Sequence, residues 1–89
     1  EVKGEGAPAI TRQPLSQTAA VGGAVMFSLA ATGNTPFTYQ WRCDGADISG
    51  ATSDIFIIDS VTLGDAGQYD CVVRNNEGNT TSSAATLEI

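Results

Sequence analysis

The run LGDAGQYDC, residues 63–71, decides the fold: a glycine-broken turn leads into a strand whose one face carries Tyr69 and Cys71. A cysteine placed in this way invites a partner upstream. The chain offers one other, Cys43, and no histidine. Two thiols so far apart form no CxxC redox pair, and without histidine they cannot complete the usual four-ligand zinc site.

Outward from that run the chain alternates. Phe37, Tyr39, Trp41 and Cys43 share one face of FTYQWRC (37–43), as do Tyr69, Cys71 and Val73 in QYDCVVR (68–74). In AVMFSLAAT (24–32) the inward set is Val25, Phe27, Leu29 and Ala31; in IFII (55–58) it is Phe56 and Ile58; at the end it is Ala85, Leu87 and Ile89. Turn signals fall between these runs: Gly22-Gly23, Gly33 with Pro36, Asp44-Gly45, Ser49-Gly50 and the NNEG stretch at 75–78. No segment holds a helical apolar period. Five core strands, with a first strand split at Pro14 where an edge tolerates a missing N–H, predict an all-β, antiparallel two-sheet sandwich. Residues 1–7, EVKGEGA, have linker composition, so the domain is expected over 8–89.

Composition narrows the function. Eighty-nine residues make one small domain, hiding about 60–65 % of its unfolded surface on folding. Four Lys and Arg against ten Asp and Glu give a net charge of −6. Nucleic acid is therefore not expected as a partner, because backbone binding needs a basic stripe, and Lys3, Arg12, Arg42 and Arg74 are scattered. No apolar run approaches the roughly 20 residues of a spanning helix, so direct membrane insertion is not expected either. No basic-then-apolar leader opens the chain, and the expectation is a piece of a larger precursor.

Trp41 on the third strand, followed by Leu63, Asp65, Gly67, Tyr69 and Cys71 in the order L-x-D-x-G-x-Y-x-C, resembles an immunoglobulin domain over residues 8–89. The phrasing QPLSQTAAVGG, TYQWRCDGADISGATS and SSAATLEI resembles the intermediate-set repeats strung along bacterial secreted and surface proteins. The resemblance implies a Greek-key sandwich, an extracellular setting and neighbouring domains of the same parent chain. It also implies a tyrosine corner, in which the Tyr69 ring enters the core and its hydroxyl returns to the backbone upstream. Structural roles follow for Trp41, Leu29, Cys71, Tyr69, Asp65, Leu63 and Gly67.

Two departures from the family pattern matter. The second-strand cysteine is replaced by Leu29, so the inter-sheet bridge is not expected. If Trp41 lies opposite Cys71, as the family register implies, antiparallel pairing sets Arg42 against Asp70 and Cys43 against Tyr69, which leaves Cys43 diagonal to Cys71. Diagonal neighbours stand about 7–8 Å apart, against the roughly 3.5–4.5 Å between Cβ atoms that a disulfide needs. Three readings stay open: a Cys43–Cys71 bridge closed by twist or a bulge, two reduced thiols acting as small core hydrophobes, and an intermolecular bridge. The second departure is length. Asp44 to Ser53 leave room for a short strand at ADIS (46–49) and little more, so strand D is expected to be vestigial, and Asp65, with no evident basic partner, to bind its own turn.

No catalytic constellation stands out: histidine is lacking, no serine sits in a strained elbow, and a small sandwich has little room for a carboxylate cleft. Asp44, Asp47 and Asp54 match no calcium-loop spacing and are read as solvated turn residues; no cofactor is expected. Asn79-Thr80-Thr81 matches a glycosylation sequon that a bacterial origin would leave inert. Strand alternation turns Met26, Ile55 and Ile57 outward, an apolar face suited to a neighbouring domain or partner unless loops cover it. The reading is a non-catalytic spacer, stalk or adhesive module, with a surface protein or glycan as partner beyond the parent chain. The alternative is a carbohydrate-associated accessory module of a secreted glycan-degrading enzyme. Sugar binding wants exposed aromatics, and the parity of the strands and the family roles turn all six inward.

Overall fold

The computed structural model describes residues 6–89. Most of the expected linker, residues 1–5, lies outside them. In chain order the strands are β1 (Ala9–Arg12), β2 (Gln17–Thr18), β3 (Val25–Ser28), β4 (Ala30–Thr32), β5 (Thr38–Cys43), β6 (Ala46–Asp47), β7 (Ile55–Ile58), β8 (Gly67–Asn75), β9 (Gly78–Thr81) and β10 (Ala85–Glu88). A 3₁₀ turn, Leu63–Asp65, precedes β8.

The sheets are built by what each strand can bury. On one side, β1 pairs with β4 and β3 with β7, all antiparallel; β3 and β4 are one run of chain interrupted at the buried Leu29. On the other side the order is β2-β10-β8-β5-β6, with β9 pairing the far half of β8. The first strand is split as expected: β1 serves the first sheet and β2 the second, with Pro14 buried in the crossing. No strand stands between β6 and β7 among the described residues, so strand D is gone rather than merely short. The architecture is the immunoglobulin-like two-sheet sandwich.

Trp41 faces Cys71, Arg42 faces Asp70 and Cys43 faces Tyr69 across β5 and β8. The core between the sheets holds Val25, Phe27, Leu29, Trp41, Val61, Tyr69, Cys71, Val73, Ala85 and Leu87. Phe27 stacks on Tyr69 with ring centres 4.9 Å apart and lies 6.3 Å from Trp41, the offset geometry that aromatic quadrupoles favour. The buried indole N–H is satisfied too, donating to the Ser53 carbonyl at 2.7 Å. Where β9 stops and β10 has not begun, Ser82 fills the gap in the ladder. Its N–H donates to the Cys71 carbonyl and its hydroxyl accepts from the Cys71 N–H, both at 2.9 Å.

Two outcomes refine the expectations. Leu63, given a structural role by the motif, is 73 % exposed on the outside of the 3₁₀ turn, and Val61, fully buried, takes the inward place. The reason is backbone pinning, since the Val61 N–H donates to Gly23 and its carbonyl accepts from Gly22, both at 2.8 Å. Of the three readings left open for the cysteines, the Cys43–Cys71 bridge does not form, and both thiols are free. Their diagonal register holds the Cβ atoms beyond bridging distance, and no bulge interrupts the β5–β8 register to close the gap.

Candidate functional site

Three regions carry the residues singled out in the sequence. The first is the turn before β8. The Tyr69 hydroxyl donates to the Asp65 carbonyl at 2.6 Å, and the Asp65 carboxylate accepts from the Thr62 N–H at 2.8 Å. Asp65 therefore serves its own turn. Burial foremost, with the Cys43 thiol beside it, pushes the Tyr69 hydroxyl well above the usual phenol range. Gly67 lies against Asp44: a Cβ built there would stand 2.9 Å from Asp44 Oδ2, and φ is +156°. Asp44 itself adopts φ +52° and Gly45 +86°, the pair of positive angles that a two-residue hairpin between Cys43 and Ala46 requires. Its carboxylate then accepts from the Gln68 N–H at 2.9 Å, which ties the β5–β6 hairpin to β8.

The second region is the end of the sandwich nearest Gly6. Asn75 Nδ2 donates to the carbonyls of Gly6 at 2.9 Å and Asn34 at 2.8 Å, while Oδ1 accepts from the N–H groups of Glu77 and Gly78. One side chain satisfies four backbone groups from three segments. The local sequence marks Asn75 only as part of the NNEG turn. Gly6 and Ala7, read as linker, sit close to this knot, so that a Cβ on Gly33 would meet the Ala7 carbonyl at 3.1 Å.

The third region is the outer face of β3 and β7. Met26 stands directly across from Ile57, and the exposures of Met26, Ile55 and Ile57 are 51, 42 and 55 %. No loop covers them. Leu15, 75 % exposed, shares a recess with Met26 and extends the apolar strip. The opposite sheet carries an ordinary polar surface, with Arg42 binding Asp70 through two bonds of 2.9 and 2.8 Å. That partly exposed pair is worth roughly 0–1 kcal/mol, and the bonds to Asp70 hold the guanidinium pKa up.

Chemistry is sparse. Among the described residues no group of three His, Cys, Asp or Glu side chains converges to hold a metal, and Asp44, Asp47 and Asp54 do not gather into one. Cys71 is sealed in the core, where burial pushes its thiol up to about 11, the opposite of what a nucleophile needs. None of the six aromatic rings is more than partly exposed. Among the described residues no helix is long and apolar enough to cross a membrane.

Comparison with known proteins agrees with this geometry. The family model described as "Immunoglobulin domain" matches residues 7–75, and the chain belongs to that family. It is 37 % identical over 84 residues to Roundabout homolog 1 of Mus musculus, covering 86 % of this chain and 5 % of the mouse protein. It is 29 % identical over 87 residues to Endoglucanase C of Cellulomonas fimi, covering 93 % of this chain and 8 % of that protein. Among solved structures, the tandem Ig repeats of Dlar superpose with a TM-score of 0.87 at 26 % identity, over 99 % of this chain and 48 % of theirs. The chain thus spans a small fraction of the relatives it matches: it corresponds to one immunoglobulin-like module of larger, multidomain proteins.

Proposed function

We propose that the chain is a non-catalytic, intermediate-set module of a larger extracellular protein, serving as a spacer or stalk unit that also presents a protein-interaction surface. The observation that carries this reading is that the chain matches an immunoglobulin domain over most of its length yet only 5 % of Roundabout homolog 1. The match to Cell adhesion molecule Dscam1 of Drosophila melanogaster, 37 % identical over 71 residues, supports the adhesive side. The bacterial setting rests on the repeat phrasing and the Cellulomonas fimi match. The partners are the neighbouring domains and a surface protein, met through Met26, Ile55 and Ile57.

The alternative, an accessory module of a glycan-degrading enzyme, is favoured by one observation, the likeness to an endoglucanase. Deleting residues 8–89 from the parent protein separates the two. The spacer and adhesion reading expects surface attachment or bead clustering to fall while any turnover of soluble substrate is unchanged. Binding of the isolated domain on a glycan array would favour the alternative. For the surface itself, Ile55→Thr with Ile57→Thr should keep the melting temperature and weaken contact with the adjoining module, because threonine retains β-branching while removing apolar area.

A further inference from the structure

We propose that the free edge of β7 is a strand-addition site, taking an extended segment of a partner protein that alternates apolar and polar residues and carries Lys or Arg near both ends. This deepens the interaction half of the reading above; the spacer half does not depend on it.

The edge is open because strand D is missing: β7 pairs with β3 alone. Which backbone groups it offers follows from register. The Leu29 N–H donates to the Asp54 carbonyl at 3.3 Å, so Leu29–Asp54, Phe27–Phe56 and Val25–Ile58 are the hydrogen-bonded pairs, and Ser28–Ile55 and Met26–Ile57 are not. The N–H and C=O groups of Ile55 and Ile57 therefore project from the free edge, two donors and two acceptors at the spacing of a strand. Beside them runs an open groove of about 450 Å³, lined by Cys43, Ile48, Phe56, Ile58 and Tyr69, where the two sheets stand uncovered. Side chains on one face of an added strand would enter this groove, and those on the other would extend the apolar surface of Met26, Ile55 and Ile57.

Charge selects the occupant. Asp54 and Asp59, both exposed, bracket β7, and Asp65 lines the groove. No described basic residue answers them. Arg12 lies across β3, bound to Ser28; Arg42 is bound to Asp70 on the other sheet; Arg74 stands at the far end of β8. A cationic end at each side of the incoming segment is thus complementary. A second copy of the chain is not: the register that mates Ile55 with Ile57 of a second copy sets Asp59 opposite Ser53, next to Asp54, in a molecule of net charge −6.

The test uses the whole chain and the synthetic peptide Lys-Val-Thr-Val-Thr-Val-Lys, with Glu-ended and backbone N-methylated versions as controls. The expected result is binding of the Lys-ended peptide with amide shifts confined to residues 53–60 and slowed exchange of the Ile55 and Ile57 N–H groups. The Glu-ended peptide should bind about tenfold more weakly, the N-methylated one should lose binding, and Asp54→Asn with Asp59→Asn should erase the difference between the Lys and Glu ends. Failure of the Lys-ended peptide to bind, equal binding of the N-methylated peptide, or self-association through β7 in sedimentation would each overturn the proposal. Because the N-methylated and Glu-ended peptides leave the protein untouched, the proposal stays open to refutation even if the double Asn variant fails to fold.

Discussion

The Tyr69 hydroxyl reaches back 2.6 Å to the carbonyl of Asp65, four residues earlier, and so closes the turn from which β8 departs. That single bond holds a buried ring and an exposed turn in one geometry. Tyr69→Phe removes only the oxygen and leaves the carbonyl without its partner, which should cost about 1–3 kcal/mol. The midpoint of urea unfolding measures it, and an unchanged midpoint would mean that water replaces the hydroxyl without loss.

Gly67 and Asp44 form a second coupled pair. Gly67→Ala would place a methyl group 2.9 Å from the Asp44 carboxylate, and a loss of about 1–3 kcal/mol is expected. In an Asp44→Gly background the obstacle is gone, and the same change should cost clearly less. A double-mutant cycle reads the coupling. Equal costs in both backgrounds would assign the whole effect to the backbone angle.

Cys71 offers a test at alkaline pH. Its thiol ionises near 9.0 when free and at about 11 in the fold, because burial disfavours the thiolate. The folded state therefore holds its proton where the unfolded state has released it. The contribution to stability is intact below pH 9, falls between pH 9 and 11, and is lost above that, a loss of roughly 2–3 kcal/mol. Cys71→Val should be within about 1.5 kcal/mol of the wild type at pH 7 and flatten this part of the pH profile, leaving the share of Tyr69. Reductant should not move the wild-type midpoint at all; a loss of more than about 2 kcal/mol on reduction would reveal a crosslink.

Asn75 can be divided by chemistry. Asn75→Ala loses all four bonds and should cost about 2–3 kcal/mol. Asn75→Asp keeps the acceptor for the Glu77 and Gly78 N–H groups but faces a carboxylate toward the carbonyls of Gly6 and Asn34. Amide exchange should then show the turn at 75–78 still protected while Asn34 opens. Loss of protection at both would mean that the two halves of the knot are not separable.

Much of the sandwich was legible because a strand has only two faces. Parity puts Trp41 and Cys71 both inward, the family register sets them opposite one another, and Arg42 against Asp70 and Cys43 against Tyr69 then follow; once Phe56 is inward, Ile55 and Ile57 can only point out. Leu63 shows where that logic stops. The 3₁₀ turn has no two-residue period, so the motif's leucine carried no direction, and the backbone bonds from Val61 to Gly22 and Gly23 decided the matter. Asn75 was silent for a different reason. Two of its four partners stand 69 and 41 positions away in the chain, and no local pattern records a bond across that distance. The open edge was half legible: shortness between Asp44 and Ser53 foretold a missing strand, but which amides it would bare required the register of β3.

The pairing of β2 with β10 has a mechanical consequence. Gln17 and Thr18 lie parallel to Leu87 and Glu88, in contrast to the antiparallel ladders elsewhere. Tension applied through the two ends of the domain draws β2 toward the first residues and β10 toward the last, so the strands slide past one another along their length. Their hydrogen bonds, together with the bond from the Ala19 N–H to the Glu88 carbonyl at 2.8 Å, are loaded at the same moment instead of being peeled one by one. A module joined in series would thus resist stretching at the strand pair beside its exit, while β7, outside the line of force, keeps its shape.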